Sequence, residues 1–344
     1  MKASKLIHWG LLILLCQNCT RPLSVNEEAV SVPVVFTCSL PASQGTKAVS
    51  DGLSASTLLL YTYDANGTYL PALAIEKPGA FESRTATANL ALVKGMTYNF
   101  VFVAISSNAT PAYTVDAASG TLAIDYSALT ANDDAYDIFT ASLADYKVTG
   151  SFTETVTLKR PIAQVNVGVP VADYTVAANS GIKVDEITSS FVFSEAGTAY
   201  DILHQKVTTN ADAAVTVPAK IRPVDEDLTV GTDTYKYMAM SYILVPMDGV
   251  TADNRATLTS VDLSLNVETT SGATSTLTRS VVNVPVQKNW RTNILGNIFG
   301  IAGVFNIIID EIYAGDINIT PEGGSDTPAG NVDVVPVDDW GTIN

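Results

Sequence analysis

The sequence predicts an all-β fold with two blocks of strands, and three observations support this prediction. Apolar residues alternate with polar ones in many short runs, as strands with one buried face require. Turn residues separate these runs at the spacing typical of β-sandwiches. Helical periodicity of 3.6 residues is nearly absent, which disfavours folds in which helices and strands alternate.

Length and composition agree with a folded protein of two domains. The chain has 344 residues, and single hydrophobic cores usually stop growing near about 250 residues. Hydrophobic residues make up 47 % and charged residues 16 %, a composition unlike that of disordered chains. The formal charge of −16 disfavours nucleic acid as a partner.

Residues 1–19 are interpreted as a lipoprotein signal peptide. Lys2 and Lys5 precede an apolar run over residues 6–15, which is too short to span a bilayer. The run ends at Cys16 and Cys19, where a bacterial lipoprotein carries its lipidated cysteine. Cys19 is the preferred anchor to outer-membrane lipid, Cys16 is the alternative, and an ordinary signal peptide that contains cysteines stays open.

The first strand is predicted over residues 30–40, where apolar and polar residues alternate with period two. Pro33 cannot donate a ladder hydrogen bond, so we expect this strand at a sheet edge or where its outer side is unpaired. Further strands are predicted at residues 58–63, 97–105, 152–158, 162–168, 187–193, 237–245, 261–267, 276–284 and 305–309. An Asn66-Gly67 hairpin turn should lead into a partner strand, and residues 132–146 should hold a short helix or a crossing loop.

The C-terminal region changes character after residue 320. Residues 320–330 have the composition of a flexible linker. Beyond them lies a short valine-rich peptide capable of forming a strand, with Val332, Val334, Val335 and Val337.

Catalytic and metal-binding signals are weak. Downstream of the signal peptide the chain has one histidine, His204, and it lacks the nucleophile-elbow, phosphate-loop and dinucleotide motifs. Acidic clusters occur at residues 133–134, 225–227 and 338–339, and paired carboxylates are used by glycosidases. In so acidic a chain, such clusters are expected on solvated loops. The sequence therefore predicts a non-enzyme without a cofactor or metal.

Two motifs resemble those of the type V fimbrillins, the pilus subunits of anaerobic Gram-negative bacteria. They are Leu158-Lys-Arg-Pro-Ile-Ala-Gln-Val-Asn-Val-Gly168 and Val286-Gln-Lys-Asn-Trp-Arg-Thr-Asn-Ile-Leu-Gly-Asn297. The closing run Ile309-Asp-Glu-Ile-Tyr-Ala-Gly-Asp-Ile-Asn318 is also similar. The resemblance covers about residues 30–320. It implies two tandem Greek-key β-sandwiches of transthyretin-like type with short helices in loops, at residues 48–158 and 159–320.

The resemblance also implies a route of assembly. A lipidated precursor at the outer membrane would lose its N-terminal segment by proteolysis, and residues 20–47 would be this propeptide with the first strand. The cell-surface fimbria would then grow because residues 321–344, the linker and donor strand, fill the vacated groove of another copy or of a related pilin subunit. A host protein or glycan would be the adhesion ligand.

Cleavage is expected between Lys47 and Ala48, in a polar loop after the first strand. Arg21 precedes that strand and Arg84 lies deep in the first domain, so neither would release the strand cleanly. The maturation protease stays unidentified, since the best-known fimbrillins are cleaved after arginine.

Two other functions remain open from the sequence. A glycan-binding surface lipoprotein would need exposed aromatic platforms, for which the tyrosines are Tyr61, Tyr63, Tyr69, Tyr113, Tyr235 and Tyr237. A carbohydrate hydrolase would depend on the acidic clusters.

Lipidation can be tested by replacing the two cysteines of the signal region separately. We expect Cys19→Ser to incorporate no radiolabelled palmitate and Cys16→Ser to label like the wild type, because Cys19 is the predicted acceptor. The reverse pattern would identify Cys16 as the anchor. If neither variant nor the wild type incorporates palmitate, the segment is an ordinary signal peptide.

Overall fold

The computed structural model describes residues 30–41, 52–110, 112–223, 227–230, 232–247, 255–300 and 305–310. Of the described residues, 59 % lie in strands and 8 % in helices, which confirms the all-β prediction. The strands are β1 (Ser31–Ser39), β2 (Thr57–Asp64), β3 (Ile75–Lys77), β4 (Thr85–Val93), β5 (Thr97–Ile105), β6 (Tyr113–Asp116), β7 (Thr121–Ile124), β8 (Ile138–Lys147), β9 (Phe152–Thr157), β10 (Ala163–Pro170), β11 (Thr188–Phe193), β12 (Gly197–Asp201), β13 (Lys206–Asn210), β14 (Val215–Ile221), β15 (Asp227–Val230), β16 (Asp233–Ile243), β17 (Arg255–Glu268), β18 (Thr274–Gln287), β19 (Arg291–Gly296) and β20 (Phe305–Asp310). Helix α1 spans Val171–Asn179, and short 3-10 helices span Pro71–Leu73, Ser107–Ala109, Asp134–Tyr136 and Val184–Glu186.

Two sheets enclose the first hydrophobic core. One has the order β4-β1-β9 and the other the order β3-β2-β5-β8. Leu58 and Phe100 of the second sheet point into this core. Tyr61 and Val101, on the opposite face, pack into a second cluster. Because this sheet is covered on both faces, β2 and β5 have nearly continuous apolar sequences instead of alternating ones.

Two further sheets enclose the second core. Their orders are β15-β16-β10-β19-β20 and β14-β11-β17-β18. Val165 and Val167 of β10 share this core with Phe191 and Phe193 of β11, whose rings stack with centroids 5.6 Å apart. Gly168 lies at a β-bulge in β10, where a Cβ atom would come within 2.9 Å of the Leu295 side chain. The close contact between β10 and β19 therefore needs glycine at this position.

The two sandwiches have the same strand order. In the first, β1 pairs antiparallel with β4 and parallel with β9. In the second, β10 pairs antiparallel with β16 and parallel with β19. The facing sheets correspond as well, since β3-β2-β5-β8 matches β14-β11-β17-β18. The chain thus repeats one topology, in which the first strand of each sandwich lies between two later strands.

A fifth sheet combines strands from both halves of the chain. Its order is β13-β12-β7-β6, with β12 antiparallel to β7. β6 and β7 precede residue 158, whereas β12 and β13 follow it. The division into domains at residues 48–158 and 159–320 stays a prediction.

A buried ion pair lies at the junction between the two sandwiches. Arg160 Nε and Nη2 donate to the two carboxylate oxygens of Asp137, each over 2.6 Å. The Arg160 backbone N–H donates to Asn289 Oδ1, and the guanidinium lies 4.4 Å from the centre of the Phe139 ring. Burial raises the pKa of the Asp137 carboxyl, and the Arg160 guanidinium opposes this shift. The pair joins the start of β8 to the segment before β10.

Several local predictions need correction. Residues 132–146 hold a 3-10 helix and then most of β8, not a helix or loop alone. The partner strand predicted after the Asn66-Gly67 turn is confirmed, since the chain bridges Tyr63 to Tyr69 and then forms β3, which pairs antiparallel with β2. The strands β4, β6, β7, β12, β13, β14, β15 and β19 were not predicted, and neither was the position of the helix α1.

Breaking the buried pair should destabilise the fold strongly. Asp137→Asn would remove the carboxylate charge that faces the buried Arg160 guanidinium, which costs about 3–5 kcal/mol. Urea unfolding followed by circular dichroism would measure the loss. The control is Asp133→Asn, which breaks the partly exposed pair with Lys220 and should cost less than about 1 kcal/mol. Equal losses in both variants would contradict the assigned role.

Candidate strand-exchange site

The first strand lies at the centre of its sheet, between β4 and β9. Its pairs with β4 run from Ser31↔Val93 to Ser39↔Thr85. This placement corrects the expectation of a sheet edge. The alternative prediction, that the outer side of the strand is unpaired at Pro33, is confirmed. The pairs with β9 begin only at the next residue, Val34↔Phe152.

One face of β1 is fully buried, as its alternating sequence requires. Val34, Phe36 and Cys38 have no exposed surface. The Phe36 ring contacts three aromatic rings, with centroid distances of 4.9 Å to Phe100, 5.1 Å to Phe102 and 5.8 Å to Phe152. The last ring belongs to β9 and the other two to the facing sheet. β1 therefore joins both layers of the sandwich.

Backbone contacts hold the C-terminal end of β1. The Leu40 N–H donates to the Arg84 carbonyl over 2.9 Å, and the Leu158 N–H donates to the Ser39 carbonyl over 2.9 Å. Arg84 Nη1 also donates to the Pro41 carbonyl over 2.8 Å. Arg84 belongs to the tight turn before β4, where its φ of 69° is left-handed. The exit of β1 is thus fixed by the turn that starts its neighbour.

The Cys38 thiol is enclosed in this core. It is a free cysteine, and burial raises its pKa to about 12. Thiol reagents attack the thiolate, so Cys38 should be unreactive while β1 is in place.

The other predicted site residues lie outside the described part of the chain. These are the lipidation residue Cys19, the cleavage residues Lys47 and Ala48, and the tail valines Val332, Val334, Val335 and Val337. In sequence, Lys47 falls in the connection between Pro41 at the end of β1 and Gly52.

The tyrosines proposed as sugar platforms are covered. Tyr61, Tyr63, Tyr113 and Tyr237 are at most 4 % exposed and pack in the second cluster. Tyr69 and Tyr235 are partly buried against the same cluster. The first four tyrosines offer no exposed aromatic surface to a glycan, and the other two offer only part of theirs.

The remaining polar candidates form local structural contacts. His204 is exposed in the turn between β12 and β13, where its Nδ1 lies 2.6 Å from Asp201 Oδ2. Asp133 accepts from the Ala135 N–H and pairs with Lys220, and Asp227 pairs with Lys236. Residues 225, 226, 338 and 339 lie outside the described residues.

The described ranges contain neither a cluster of metal ligands nor a helix able to span a membrane. There, no three histidine, cysteine or acidic side chains cluster in a way that could hold a metal ion. The helices in these ranges are too short or too polar to cross a bilayer.

Sequence reasoning missed two parts of the site. β4 was not predicted, because its buried residues include the small Ala86 and Ala88, which give a weak hydrophobic signal. The role of Arg84 in holding the end of β1 was also missed. Its carbonyl contacts Leu40 and its guanidinium contacts Pro41, which lie 44 and 43 positions earlier in the chain.

The fold and the site define an all-β protein whose first described strand is inserted between two later strands. A protein-family model described as "Family of unknown function (DUF6562)" matches residues 26–334, and the chain belongs to this family. No curated protein matches the chain.

Several solved structures are similar to this chain at low sequence identity. A candidate cell adhesion protein from Bacteroides ovatus has 9 % identity and a TM-score of 0.47, covering 82 % of this chain and 98 % of its own. The tip fimbrial protein Mfa3 from Porphyromonas gingivalis has 13 % identity and a TM-score of 0.40, covering 81 % and 99 %. A candidate polysaccharide-binding protein from Bacteroides thetaiotaomicron has 10 % identity and a TM-score of 0.44, covering 80 % and 97 %. All three are remote likenesses.

The buried face of β1 can be tested by a pair of neighbouring substitutions. Phe36→Ala should lower the free energy of unfolding by about 3–5 kcal/mol, because the cavity would lie among three aromatic rings. Thr37→Ala, on the half-exposed opposite face, is the control and should change it by less than about 1 kcal/mol. Both values come from urea unfolding. Similar losses at the two positions would contradict the described orientation of β1.

Proposed function

We propose that the protein is a structural, non-enzymatic subunit of a cell-surface fimbria that contributes to adhesion. It would be exported as a precursor anchored to outer-membrane lipid through Cys19. Proteolysis after Lys47 would release β1, and the valine-rich tail of another copy or of a related pilin subunit would replace it. The observation that carries this proposal is the central position of β1 between β4 and β9.

The pairing pattern supports strand replacement. Removing β1 would leave a gap one strand wide, bordered by the backbone of β4 on one side and of β9 on the other. An incoming strand could form ladders with both borders, as in other cases of strand addition. The floor of the gap would contain Phe100 and Phe102, which gives the incoming strand an apolar surface to cover.

The location of β1 in the chain also supports its release. β1 is the first described strand, so a single cut before Gly52 would separate it from the rest of the sandwich. Lys47 lies between Pro41 and Gly52 in sequence. A cut at Arg84 would instead separate β2 and β3 from β4, which agrees with the preference for Lys47.

Strand periodicity limits how the tail could fit. In an extended strand Val332 and Val334 share one face, whereas Val335 and Val337 share the other. β1 has the same Val-x-Val-Val spacing at Val32, Val34 and Val35, with Val34 buried and Val35 half-buried. The tail would therefore bury two valines, worth roughly 1.5–3 kcal/mol each before ordering costs, while main-chain hydrogen bonds would supply the continuity.

Controlled proteolysis of the purified protein tests this function. We expect a trypsin-like protease to cut after Lys47, with the new N-terminus at Ala48 mapped by mass spectrometry. Release of β1 should make Cys38 available to a thiol reagent, because its burial ends when the strand leaves the core. Polymers should then form and be visible by size-exclusion chromatography. Lys47→Ala is the matched control and should remain monomeric with an unreactive Cys38.

The tail is tested in the same assay by deleting residues 331–344. The deleted protein should be cut normally but form no polymers, and a synthetic 331–344 peptide should block polymerisation of the cut wild type by filling the groove. A scrambled peptide is the control. Polymers that form without the tail, or a cut protein that stays monomeric, would contradict donor-strand exchange.

A further inference from the structure

A concave pocket lies where the β12–β13 hairpin meets the turn after β18. Its volume is about 420 Å³, within the range of small-molecule sites. Most of its wall is apolar, with Pro161, Val207, Val245 and Met247, and two lysines, Lys206 and Lys288, also line it. Met247 is 48 % exposed, which places it at the mouth of the pocket.

Lys288 brings a cation to this apolar wall. Its Nζ donates to the Tyr200 hydroxyl over 2.9 Å and to the Gln205 carbonyl over 3.3 Å. It also lies 5.3 Å from the centre of the Tyr200 ring. Burial lowers the pKa of Lys288 to about 8, and the like charge of Lys159 acts in the same direction. The ammonium therefore sits in surroundings that disfavour its charge.

The partners of Lys288 are all neutral. Three other lysines in the described ranges are held by carboxylates, namely Lys183 by Glu268, Lys220 by Asp133 and Lys236 by Asp227. Lys288 makes no such ion pair with any residue that the structure describes. A partly buried cation without a counter-charge, in a concave apolar site, is the pattern that binding sites for anions share.

We propose that this pocket binds a small monocarboxylic acid with an apolar body. The carboxylate would accept a charge-assisted hydrogen bond from Lys288 Nζ, and the apolar body would cover Val207, Val245 and Met247. Lys206 is exposed, so Lys288 is the one partly buried cation beside the apolar wall, and one such charge suits a monoanion. This site is independent of the fimbrial function proposed above.

Calorimetric titration of the full-length protein tests the ligand class with three probes of equal chain length. These are octanoate, octan-1-ol and octyltrimethylammonium. We expect octanoate to bind at least tenfold more tightly than the alcohol and the cation not to bind. Lys288→Met keeps most of the aliphatic side chain but removes the charge. It should therefore lower the affinity for octanoate at least tenfold and leave the affinity for octan-1-ol unchanged. Lys220→Met is the matched control and should bind octanoate like the wild type.

Chemical labelling provides a second readout at the residue itself. Near pH 8 a large fraction of Lys288 is uncharged, so trinitrobenzenesulfonate should label it faster than the exposed Lys220. Octanoate should slow labelling at Lys288 alone, as mapped by mass spectrometry. Lys288→Met should fold with an unchanged or higher melting temperature, because it removes an uncompensated charge. Octanoate binding that survives Lys288→Met, binding no tighter than the alcohol, or labelling at Lys288 that octanoate does not slow would overturn the proposal.

Discussion

The first sandwich depends on the insertion of one strand between two others. In the sheet order β4-β1-β9, β1 supplies the ladder that links β4 to β9. Its Phe36 ring also contacts the facing sheet through Phe100 and Phe102. Without β1, two strands would present unpaired edges and an aromatic floor would face water. The same nine residues therefore complete both a sheet and a core, and the sandwich is complete only while some strand occupies their position.

The second sandwich uses the same topology but holds its first strand differently. β10 lies between β16 and β19 as β1 lies between β4 and β9, yet β10 follows β9 after only a few residues. The segment between them is held by the buried pair of Arg160 with Asp137 and by the contact of Arg160 with Asn289. β1 is the first strand of the described residues, and its downstream connection contains the predicted cleavage position. The two strands thus share a topology but are held differently: a buried ion pair fixes the approach to β10, whereas backbone contacts and Arg84 hold the exit of β1.

Much of this architecture could be predicted from sequence, and the failures have identifiable physical causes. β1 was recognisable because one of its faces is buried and the other half-exposed, which produces strict alternation. β19 was not, since its buried residues include the polar Thr292 and Asn293, and Asn293 accepts a hydrogen bond from Asn166 of β10. The central position of β1 was also unpredictable, because Pro33 suggested an edge and strand order is set by contacts between distant residues. Lys288 stood within a recognised motif, but its apolar surroundings come from β12, β13 and Val245.

The proposed polymer follows from where the groove and the tail lie in the chain. A strand that fills its own groove gives a closed monomer, whereas a tail that fills the groove of the next copy makes a head-to-tail contact, and such contacts propagate. The precursor would be protected from early growth because β1 already occupies the groove and encloses Phe36 and Cys38. Cleavage alone would not provide a driving force for release, since β1 keeps its apolar contacts after the cut. After the cut β1 is no longer covalently attached, so its effective concentration at the groove falls, and the donor strand of another copy can then compete with it.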